Sequence, residues 1–65
     1  GPQPEAVTVA YCVGETGQVT SVRAPGAVSP RDRAYVESIR SWRFAPVFVD
    51  GKPITACSFL TFESR

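Results

Sequence analysis

Two stretches near opposite ends of the chain, AVTVAYCV at residues 6–13 and ITACSFLTF at residues 54–62, alternate side chains with a period of two, and each carries one cysteine. β-Branched and aromatic residues in alternation mark half-buried strands. In the first stretch Val7, Val9, Tyr11 and Val13 share a face, and Thr8, Ala10 and Cys12 take the other. In the second, Ile54, Ala56, Ser58, Leu60 and Phe62 oppose Thr55, Cys57, Phe59 and Thr61. A fold that buries the larger apolar face of each strand turns both cysteines outward.

The sequence between them supplies the connections. GETGQ at residues 14–18 offers glycines that accept positive φ, and VTSVRA resumes strand character, so the first two strands form a hairpin. After the loop APGAVSP, Ser29 is placed as N-cap, Pro30 at the first helical position and Asp32 in the first turn, where the helix dipole favours an acid. Tyr35, Val36, Ile39 and Trp42 then recur at three- and four-residue steps, which predicts a helix from Pro30 to about Trp42, stopped ahead of Pro46. Asp50-Gly51 signals a turn before the third strand, residues 54–62.

The expected class is α+β, with element order β-β-α-β. One helix covers one face of a three-stranded antiparallel sheet, and a right-handed crossover from the second strand to the third puts the first between them, in order 2-1-3. The third strand is then a free edge. Val9, Tyr11, Val13, Ile39, Trp42, Phe44 and Leu60 are the expected core. Cys12, late in its strand, and Cys57, early in its own, come close to facing each other on the uncovered side. A cross-strand disulfide fits that arrangement and would indicate an oxidising compartment, whereas two unbonded thiols are the alternative.

Size makes the question matter. At 65 residues, one core supplies only about 3–5 kcal/mol, so such chains lean on a staple or a partner. Seven basic and six acidic residues give a net charge of +1, unlike a domain built to neutralise phosphates. With no histidine and two cysteines, the chain offers neither a histidine acid/base pair nor a four-ligand zinc site, and no catalytic residue, metal or cofactor is expected. Gly1-Pro2 has the form of a protease scar left after tag removal, so residues 3–65 are read as one domain cut from a longer protein.

The segment DRAYVESIRSWRFAPVFVDGKPI, with ETGQVTSV before it, resembles the C-terminal domain of the TonB family of energy transducers. Asp32, Trp42, Arg43, Phe44, Pro46, Gly51, Lys52 and Pro53 carry the likeness in succession, over residues 7–62. The paired cysteines are not part of that pattern. The resemblance implies a periplasmic domain whose parent is anchored in the inner membrane. It also implies a partner, an outer-membrane TonB-dependent transporter or another envelope protein. In that family an extended partner segment, the TonB box, pairs with the edge of the last strand, here residues 54–62, and force is transmitted without catalysis. Strand addition of this kind draws affinity from main-chain hydrogen bonds and specificity from alternate side chains.

An assembly module that self-associates through the same edge, possible as a homodimer, is the alternative function. Phe59 is read either as packing against Ala10 or Thr8 or as an apolar contact for a docked strand. Arg31, Arg33, Arg40 and Arg43 are interspersed with acids, as on a solvated helix face, and no nucleic-acid partner is expected.

Overall fold

A computed structural model describes residues 5–64, so Gly1 and Pro2 lie outside the described residues. The first alternating stretch forms β1 (Glu5–Val13), with Val7, Val9 and Val13 buried and Ala6, Thr8 and Ala10 exposed. The chain returns antiparallel as β2 (Val19–Arg23), which sets Tyr11 opposite Val22 and Cys12 opposite Ser21. Val13 already pairs with Val19, so Thr20 is an extra residue in the ladder, a β-bulge. In the connecting turn the Gly14 N–H donates to the Gln18 carbonyl at 2.8 Å and the Gly17 N–H to the Gly14 carbonyl at 3.0 Å.

Helix α1 (Pro30–Ile39) begins where its signals place it. Ser29 is extended and its Oγ accepts the Asp32 N–H at 3.1 Å, which satisfies one donor of the first turn. The helix ends at Ile39, short of Trp42. The N–H groups of Arg40, Ser41 and Trp42 each bond three residues back, at 3.2, 3.1 and 3.0 Å, and the Ser38 and Ser41 hydroxyls bond to the carbonyls of Tyr35 and Ser38. These contacts tighten the last turn and favour departure from α geometry. The chain is then held at the hairpin turn, where the Phe44 N–H donates to the Gly17 carbonyl at 3.0 Å and Arg43 bridges Gln18.

The third strand does not run unbroken over residues 54–62. Asp50 (φ 52°) and Gly51 (φ 78°) form a two-residue turn with both central residues at positive φ, which matches the twist of a tight hairpin. It folds β4 (Lys52–Ile54) onto β3 (Val47–Val49), so Ile54 is paired with Val47, and Thr55 separates it from β5 (Ala56–Ser64).

β5 runs antiparallel to β1 through nine pairs, from Glu5 with Ser64 to Val13 with Ala56. The main sheet has order β2-β1-β5, as the crossover argument requires, and β3-β4 is a separate two-stranded sheet that the expected β-β-α-β order lacks. The architecture is α+β. Val9, Val22 and Ile39 form the buried cluster, with Tyr11, Val19, Ala24, Val36, Leu60 and Phe62 packed around it. Val9 and Ile39 are fully buried, each contributing roughly 1.5–3 kcal/mol. The long dimension is 51 Å against 17 and 16 Å. Among the described residues no helix is long and apolar enough to cross a membrane.

Candidate functional site

β1 lies between β2 and β5, so the outer edge of β5 has no strand paired to it among the described residues. Which backbone groups it presents follows from the pairing. The Cys12 carbonyl accepts the Thr20 hydroxyl at 3.3 Å and therefore points toward β2, away from β5. Cys12 and Cys57 stand directly opposite with their Cα atoms 4.0 Å apart, the closer spacing of a pair that exchanges no backbone hydrogen bonds. The Cys57 N–H and carbonyl are thus turned to the open edge. By the period of two, so are those of Phe59 and Thr61, while Ser58, Leu60 and Phe62 spend theirs on β1.

On the cysteine face, Cys12 and Cys57 are joined in a disulfide that closes 45 residues of sequence. Phe59 pairs with Ala10 and is 71% exposed, since alanine covers little of the ring. Thr61 pairs with Thr8, their hydroxyls 3.4 Å apart.

The helix face differs. The backbone of α1 lies closest to β2, and a row of rings occupies the flank toward β5. Phe62 meets Tyr35 at 4.5 Å, Tyr35 meets Trp42 edge-on at 6.1 Å, Trp42 meets Phe44 at 6.3 Å, and Phe44 stacks on Tyr11 at 5.3 Å. Such offset and edge contacts are favourable ring geometries.

Trp42 is therefore corrected from core to rim: it is 36% exposed, because the helix ends at Ile39 and the helical spacing that aimed Trp42 inward no longer applies. Val9, Val13 and Ile39 are buried, and Tyr11, Phe44 and Leu60 are half-buried. Beside Ala56 and Ser58 a cavity of about 140 Å³ opens, bounded also by Tyr11, Val13, Phe44 and Val47. It exists because these two positions of β5 carry small side chains where Leu60 and Phe62 fill the space further on.

Of the segment expected to form the edge, residues 56–62 lie on it, and Ile54 and Thr55 do not. The arginines are spread: Arg33 Nε donates to the Ala27 carbonyl at 3.4 Å, Arg40 Nε pairs with Glu37 at 2.8 Å, and Arg43 takes part in the bridge to Gln18. The sequence reading missed the ring row, for which Trp42 and Phe44, alternate residues just past the helix, were the available signal. Comparison with family models, with curated proteins and with solved structures finds no match, and the site rests on its geometry.

Proposed function

We propose that the chain is a protein-binding domain that takes an extended segment of a partner as an added strand on the open edge of β5. The observation that carries this reading is the run of outward backbone groups at Cys57, Phe59 and Thr61, in a strand of nine residues already braced by β1. Such an edge supplies affinity through main-chain hydrogen bonds and leaves selectivity to the side chains on either face. The sequence resemblance to TonB C-terminal domains supports the finer reading. In it the domain works in the periplasm at the end of a parent anchored in the inner membrane. The partner segment belongs to an outer-membrane transporter or another envelope protein, and the domain transmits force to it. No reaction is assigned.

A second reading, self-association through the same edge, is favoured by the exposed apolar side chains of Phe59 and of the β3-β4 hairpin, where Val47, Phe48, Val49 and Ile54 are all exposed. Light scattering across concentration separates the two, a dimer sealed through β5 favouring self-association.

The decisive experiment is an NMR titration with peptides from the extended segments of outer-membrane transporters. Shifts should concentrate in residues 56–62. Thr61→Pro removes an outward donor while sparing the β1 ladder, a placement edge strands tolerate, so binding should weaken at least about tenfold with a well-dispersed spectrum retained. Shifts confined to α1 would sink the proposal.

A further inference from the structure

We infer that the cavity beside Ala56 and Ser58 is the specificity pocket of the edge, receiving one branched or unbranched aliphatic side chain of the docked strand. The inference rests on the strand-addition reading and goes beyond it by fixing where, and for what chemistry, the edge discriminates. In a paired ladder, residues directly opposite one another point to the same face. A partner residue opposite Ala56 or Ser58 therefore projects to the helix face, where the cavity opens, and its neighbours along the strand project to the Phe59 face.

The cavity wall is built from Tyr11, Val13, Phe44 and Val47, which offer carbon to an entering group. Its volume of about 140 Å³ matches the class of cavity, about 150 Å³, that holds a benzene molecule in an apolar interior. A leucine, isoleucine or methionine side chain has the right bulk. A carboxylate would lose its hydration against two rings and two valines without a cation among the lining residues. Further along β5 the same face is already filled by Leu60 and Phe62, each half-buried, so selectivity for a large apolar side chain is concentrated at the start of the strand.

The test uses a nine-residue host peptide of alternating threonine and glutamine, capped at both ends. One guest residue, glycine, valine, leucine or glutamate, is carried at each position in turn and titrated into the ¹⁵N,¹³C-labelled domain. At one guest position leucine should bind about tenfold tighter than glycine, and glutamate no tighter than glycine, with methyl shifts at Val13, Val47 and Ala56. Ser58→Leu fills the cavity from within and should erase the leucine preference, bringing the leucine and glycine guests to within about twofold of each other. Val47→Ala enlarges the cavity and should move the optimum to a larger guest, and it keeps the question answerable should Ser58→Leu fail to fold. Shifts at the amides of Cys57, Phe59 and Thr61 with no guest preference would overturn the pocket and leave the edge reading standing. No response at those amides to any host peptide would overturn both.

Discussion

At Gly17 the backbone takes a φ of 85°, its carbonyl accepts the Phe44 N–H, and a Cβ built there would run into the Phe44 carbonyl oxygen. An alanine at this position meets two separate costs, the left-handed backbone and the displacement of the segment that leaves the helix. Gly17→Ala should lose at least about 2 kcal/mol in urea unfolding. Gly26 is the control, because a Cβ there meets nothing within 4 Å, and Gly26→Ala should change stability by less than about 0.5 kcal/mol. Equal effects at the two sites would mean that the contact with Phe44 holds nothing in place. The sequence marks Gly17 as a turn residue and no more, because its partner lies across the helix in sequence and reaches it only through tertiary structure. Trp42 is misplaced by sequence for the same reason: its spacing from Ile39 is helical, but the chain is pulled off the helix before spacing can act.

β5 carries a prediction of its own. Amides that point to the open edge should exchange with solvent quickly, and those bonded to β1 slowly. Hydrogen exchange is therefore expected to alternate along the strand, fast at Cys57, Phe59 and Thr61 and at least about tenfold slower at Ser58, Leu60 and Phe62. The opposite alternation would mean that the ladder is set one residue out and that a different set of groups faces the open edge. Both long strands, their faces and their order are legible in the sequence, because alternation and a right-handed crossover leave few options. The start of α1 is equally legible from Ser29, Pro30 and Asp32, whose roles are local. Boundaries set by competition are not: Asp50-Gly51 is recognisable as a turn, yet whether it delivers Ile54 to the sheet or folds it back on Val47 depends on which pairing wins. The open edge was thus readable in kind, while its first residue and the cavity beside it were not.

For the whole molecule the disulfide decides how much stability is in hand. Closing 45 residues is worth about 4 kcal/mol in the chain-entropy model, as much as the about 3–5 kcal/mol that a core of this size supplies. Reduction, followed by far-UV circular dichroism, should lower the melting temperature by more than about 15 °C or leave the chain largely unfolded at 25 °C. A fall below about 5 °C would show that the core stands without the staple. The position of that bond has a mechanical consequence as well. Cys12–Cys57 sits one pair from the end of the nine-pair ladder where β5 begins. A pull directed along β5 slides it against β1 instead of peeling it away, so hydrogen bonds along the overlap are loaded together and a covalent tie holds one end. The joint behaves as a riveted lap seam in shear, and load entering at the edge passes to β1 without first having to cross the helix.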